Sequence, residues 1–141
     1  MSIRILFHHS DDVRACDTAR MERAIETIAS DYDWSNGEIS VALVSDAEIH
    51  VINRQHLQHD YPTDVISFDL TETNDELEGE IIASVETADR EAPHHAWHGD
   101  DELLLYVIHG MLHVIGLLDK KEEDIQKMRS AERHYLSMFA L

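Results

Sequence analysis

The chain has 141 residues, 43% of them hydrophobic, enough for one domain, 1–141, with a real core. Cys16 is its single cysteine, so no internal disulfide can form and nothing points to an oxidising compartment. A formal net charge of -18 argues against simple electrostatic attachment to RNA or to anionic lipid, although an acidic whole can hold a local basic groove and suits a basic partner.

Residues 1–7 lack the long apolar stretch of a secretory signal, so a cytoplasmic location is expected. Ile3, Ile5 and Phe7 alternate with Arg4 and Leu6, which predicts a strand over 3–7, with His8 and His9 in a surface loop. Asp11 or Asp12 can cap a helix reaching about Ser30, with Val13, Cys16, Ala24, Ile25 and Ile28 near one face. Ser35-Asn36-Gly37 is a turn signal, and 38–44 reads as a strand. Ser45 or Asp46 can cap a second helix, ending near His56 and burying Ile49, Ile52 and Leu57. Arg54 lies near its end, where a cation favours the helix dipole.

The pattern predicts strands over 65–70 and 79–84, separated by an acidic loop and placed side by side. Pro62 falls just outside the first, where its missing N–H does no harm. Residues 86–97 begin as a helix that is interrupted near Pro93. His94, His95 and His98 form an imidazole group there, but no third ligand follows at a sensible spacing, so no metal is expected. Asp100 or Asp101 then caps the next helix. A last helix follows with Ile125, Met128, Tyr135, Leu136 and Phe139 as apolar contacts.

Residues 103–115 are apolar on every side of a helix, which marks a buried one. Two histidines and two glycines within 109–116 argue against a membrane span. His109 and His113 stand four apart, so both imidazoles leave one face. Gly116 can end the helix in a left-handed conformation, and the returning chain can bring Asp119 towards them. Two nitrogens and a carboxylate oxygen make a three-ligand divalent-metal site with one position open. The spacing is that of the zinc peptidases, but position 110, where they carry a general-base glutamate, is Gly.

The stretch His109-Gly110-Met111-Leu112-His113-Val114-Ile115-Gly116 resembles the signature of the YbeY family of metal-dependent endoribonucleases. Leu117, Leu118 and Asp119 stand where that family usually has Tyr, Asp and His, so its third ligand maps onto Asp119. Pro62-Thr63-Asp64-Val65-Ile66-Ser67-Phe68 matches a second family motif, and 79–84 is similar to a third with Glu80 for Asp. The resemblance implies an α+β fold, a small mixed sheet of about four strands with a central metal-binding helix. It implies one zinc ion per chain, held by His109, His113 and Asp119, with Arg54 and His109 as catalytic residues. It also implies single-strand-specific cleavage of ribosomal RNA precursors, chiefly at the 3′ end of 16S rRNA. The expected partners are that RNA and the ribosomal small subunit or one of its proteins; neither membrane nor nucleotide cofactor is expected.

Lys120, Lys121, Lys127, Arg129 and Arg133 gather after the metal loop, and Lys120, Lys121 and Arg129 are the expected RNA contacts; a helix balanced by Glu–Lys pairs explains the same cluster. With no carboxylate placed as a base, the nucleophile is first a water activated by the metal, with the RNA 2′-OH as the other possibility. A zinc peptidase-like hydrolase and a ribosome assembly factor with a structural metal are the competing readings.

Overall fold

The computed structural model describes residues 2–57 and 63–139. In chain order the elements are β1 (Ile3–His9), α1 (Ala19–Asp31), β2 (Gly37–Val44), α2 (Asp46–Leu57), β3 (Val65–Asp69), β4 (Leu77–Ser84), α3 (Val85–Glu91), a 3-10 turn (Ala92–His95), α4 (Gly99–Val114) and α5 (Glu122–Met138). The sheet runs β1-β2-β4-β3. β1 and β4 are parallel to β2, while β3 is antiparallel to β4, with Val65 opposite Ala83 and Asp69 opposite Gly79. The mixed four-strand sheet and the α+β class are as expected, and so is the adjacency of β3 and β4.

Alternation along the strands splits the apolar residues between two faces. Ile39, Val41, Leu43, Leu77, Ile81 and Ala83 join α1, α3, α4 and α5 in the main core. Val44, Ile66 and Ile82 meet Ile49 of α2 in a smaller cluster on the opposite face. α4 runs through the middle of the main core: Leu103, Val107, Ile108, Met111 and Leu112 are fully buried. Each such side chain contributes about 1.5–3 kcal/mol by leaving water, so α4 is fixed by packing on every face except the one that carries Leu105, His109 and His113, which are half-buried. α2 begins with a reciprocal cap, in which Ser45 Oγ accepts the Glu48 N–H at 3.2 Å and Glu48 Oε1 accepts the Ser45 N–H at 2.9 Å.

Four expectations are corrected. His8 and His9 continue β1 and stand opposite Ala42 and Leu43, because backbone pairing with β2 extends whatever the side chains are. α1 starts at Ala19; the preceding loop is held out of a helical path by Arg14, which donates to Asp89 and Asp100 at 2.8 Å each. Val13 and Cys16 reach the core from that loop. α4 starts at Gly99, so Asp100, Asp101 and Glu102 lie in its first turn and His98 precedes it. Ile125 is exposed, since α5 docks through Met128, Tyr135 and Leu136 instead. Pro62 and the Leu57 side chain lie outside the described residues.

Candidate metal centre

His109 and His113 project from the last turns of α4 with their rings 4.5 Å apart and nearly perpendicular. His113 Nδ1 is 2.9 Å from the Leu117 carbonyl, which can only accept, so Nδ1 carries the proton. His109 Nδ1 donates likewise to Glu132 Oε2 at 2.6 Å. Both Nε2 atoms are thereby left as lone-pair donors. They lie 3.1 Å apart, and Asp119 Oδ2 is 3.3 Å from that of His113 and 3.7 Å from that of His109. Around a four-coordinate metal with bonds of about 2.0–2.1 Å, neighbouring ligand atoms stand about 3.3 Å apart. Three electron-rich atoms at that spacing repel one another unless a cation lies among them. The donor set therefore fits a divalent metal, and it is the one such group among the described residues.

The turn that delivers Asp119 is set by Gly116. Its φ of 113° is open to glycine and strained for other residues. The Leu117 N–H donates to the Leu112 carbonyl at 2.9 Å and the Gly116 N–H to the His113 carbonyl at 3.0 Å, the paired bonds of a Schellman ending. The same turn aims the Leu117 carbonyl at His113. Gly110 has a different reason: a Cβ there would fall 2.8 Å from Ile81 Cγ2 and 3.5 Å from Val65 Cγ2. Position 110 thus faces the sheet, and the helix sits too close for a glutamate there.

Glu132 was not singled out in the sequence, although it shares the inner stripe of α5 with Met128, Tyr135 and Leu136; a carboxylate on an apolar stripe was the available signal. It is 5% exposed. Burial opposes its ionisation, yet His109 and Arg129 as donors outweigh that and hold the carboxyl below the usual glutamate range. Arg129 Nη1 reaches both its oxygens at 2.6 Å. A ligand-bearing histidine backed by a carboxylate is how metal sites fix ring orientation and basicity.

A cleft of about 610 Å³ opens over the group, lined by His109, Asp119, Arg129, Glu132 and Arg133 and continuing past Asp64, His95, Glu102 and Tyr106. Of the residues expected to touch RNA, Arg129 lines it; Lys121 lines a separate depression, and Lys120 is exposed on the metal loop. Arg133, part of the same basic cluster, joins Arg129. Arg54 is exposed on α2, the helix on the opposite sheet face, and is not among the described residues lining the cleft. His94 and His95 pair with Glu91 and Glu102, and among the described residues they form no metal group.

The family model described as Endoribonuclease YbeY matches residues 7–140. The chain is 46% identical over 120 residues to an endoribonuclease YbeY of Rhodopirellula baltica, covering 82% of this chain and 62% of that longer protein. It is 36% identical over 133 residues to the one from Bacteroides thetaiotaomicron, covering 93% and 96%. The solution structure of a Thermotoga maritima protein superposes with a TM-score of 0.64 at 25% identity, covering 96% of this chain and 87% of that one. With its fold, its histidine helix and these relatives in agreement, the chain belongs to the YbeY endoribonuclease family.

Proposed function

We propose that this protein is a metal-dependent endoribonuclease that cuts single-stranded RNA, with residues 1–141 acting as one domain. The observation that carries the reading is the convergence of His109, His113 and Asp119 at 3.1–3.7 Å in a cleft that also holds Arg129 and Arg133. A divalent ion on those three atoms, zinc at one per chain, would polarise a phosphoryl oxygen and acidify a nucleophile. Glu132 keeps the His109 ring turned and electron-rich, and the Leu117 carbonyl does the same for His113. The guanidinium of Arg133 offers planar donors for phosphoryl oxygens, and Arg129 adds positive charge while it holds Glu132. Arg54, near the end of α2, is the further catalytic cation of this proposal, beside His109, and would stabilise the charge that builds on the phosphoryl group.

The substrate we infer is a ribosomal RNA precursor, at the 3′ end of the small-subunit RNA, in the cytoplasm and beside the small subunit or one of its proteins. The acidic surface suits a basic ribosomal protein, and the cleft arginines suit the RNA. No helix among the described residues is long and apolar enough to cross a membrane. The peptidase alternative lacks a place for its base, since position 110 is packed against Ile81. The test is cleavage of single-stranded RNA and of casein by purified protein, with and without chelator. RNA cleavage that chelator abolishes is the expected result. Casein cleavage would establish the peptidase; tightly held metal without either activity would establish the assembly factor.

A further inference from the structure

The cleft extends well beyond the metal residues. Its wall runs back along α4 through Tyr106 and Glu102 to His95 and Asp64, and a second depression of about 420 Å³ shares Asp64, Glu102 and Tyr106 with it and reaches Arg90. His95 is built into this wall. Its Nδ1–H donates to Glu102 Oε1 at 2.7 Å, the Trp97 indole N–H donates to the same oxygen at 2.8 Å, and the two rings lie 5.0 Å apart. Glu102 is 3% exposed, so a buried carboxylate is committed to orienting these rings. In a neutral imidazole, donation from Nδ1 leaves Nε2 as the acceptor edge. Asp64 Oδ1 accepts the Val65 N–H at 2.7 Å, which leaves Oδ2 as a second acceptor on the groove. Burial, and then the charge of Glu102, push the Tyr106 hydroxyl well above its usual range, so it stays protonated.

Charge along the groove separates two kinds of ligand group. Arg129 and Arg133 stand at the metal end and Arg90 at the other, with the carboxylates of Asp64 and Glu102 between. Phosphates favour the arginine ends; the middle repels them and favours N–H donors. Glu102 and His109 are two helical turns apart, about 10 Å along α4. His95 is therefore too remote to touch a phosphate reacting at His109, and stands where the base of an adjacent nucleotide would lie. Single-stranded RNA is read on such exposed base edges.

We propose that the groove between His95 and Asp64 is a nucleobase subsite that selects guanine beside the cleaved phosphodiester; the inference rests on the ribonuclease reading above. Guanine alone sets two N–H donors side by side on its pairing edge, to match two acceptors. Uracil offers one donor between two carbonyls, which would face the Asp64 carboxylate.

Trp97 reports on the subsite directly. The chain has two tryptophans, so in a Trp34→Phe protein the emission of Trp97 is titrated with GMP and with UMP. A saturable change is expected with GMP, with UMP weaker by about fivefold or more, the worth of one net hydrogen bond. Asp64→Asn should erase the difference with bound metal unchanged. Identical curves, or no response to either nucleotide, would overturn the subsite. Because Trp34 packs on the core, the parent chain provides a second measurement: kcat/KM on short oligonucleotides carrying one G or one U at each position next to the cut. A preference for G that Asp64→Asn flattens supports the subsite. Uniform kcat/KM overturns it and leaves the ribonuclease reading standing, whereas a GMP-selective response in a protein that cuts no RNA keeps the subsite and removes that reading.

Discussion

Glu132 stands behind His109, with Oε2 2.6 Å from Nδ1, and joins the C-terminal helix to the metal helix. The pair predicts that metal affinity depends on α5. Glu132→Gln keeps an acceptor but loses the charge, and should weaken metal binding about 10- to 100-fold. Competition with a chromophoric chelator measures it. Affinity equal to the parent's would show that the carboxylate serves only to anchor Arg129.

The ligand set makes a second prediction. Elemental analysis should find one metal per chain, and His113→Ala should lose nearly all of it. Asp119→His should retain the site and tighten zinc relative to manganese, because imidazole is the softer donor. Asp119→Ala should bind zinc markedly less well. Full stoichiometry in His113→Ala would remove the assignment.

Gly116 carries a third. Its φ of 113° is a conformation other residues adopt at a cost, although no atom lies within 4 Å of a Cβ built there. Gly116→Ala should therefore lose about 1–2 kcal/mol in denaturant unfolding purely through the backbone. Metal affinity should fall as well, because the same turn sets the Leu117 carbonyl against His113.

The arginines separate by position. Arg133→Ala should lower RNA cleavage by about 10²-fold, as for removal of a donor to a developing oxyanion. Arg54→Ala should keep metal content and thermal stability near the parent's while losing most RNA cleavage, by about 10²-fold or more. Steady-state kinetics on one labelled RNA compares them; a loss under about threefold in Arg54→Ala would leave the catalytic charge to the cleft arginines.

Asp101 predicts a pH dependence. Burial opposes its ionisation, but the His98 N–H at 2.9 Å and Arg20 at 2.8 Å prevail and hold its carboxyl below the ordinary 3.8. A carboxyl depressed in the folded state adds stability above its unfolded value and loses it as pH falls through the folded one. Asp101→Asn should be less stable at neutral pH by about 1–2 kcal/mol. The gap between parent and variant should close below about pH 4. Urea unfolding across pH 2–7 tests the sign; a gap that widened in acid would contradict it.

Much of the candidate metal site was legible because its information is local. His109, His113, Gly116 and Asp119 lie within one turn and a loop, and helical spacing with one glycine brings them together. Glu132 was legible only as a carboxylate on an apolar stripe, since its partner depends on how α5 docks against α4, and that angle is a property of the core. Arg54 shows the same limit: the residues alone give only a cation at a helix end, and its catalytic role came from the family resemblance, since no local spacing ties α2 to the histidine helix. α1 was predicted too long because Asp11 and Asp12 are good caps in isolation. The competing pull on Arg14 comes from Asp89 and Asp100, distant in sequence.

The contact between Gly110 and Ile81 limits what this scaffold can be turned into. Grafting a glutamate at 110 to mimic a peptidase would lever the central helix off β4 before it supplied a base. A redesign would first have to carve space by shrinking Ile81 and Val65, at a cost of about 0.5–1.5 kcal/mol even for a single Ile→Val step. Interior volume, more than the metal, thus holds this fold apart from the proteolytic chemistry whose ligand spacing it shares.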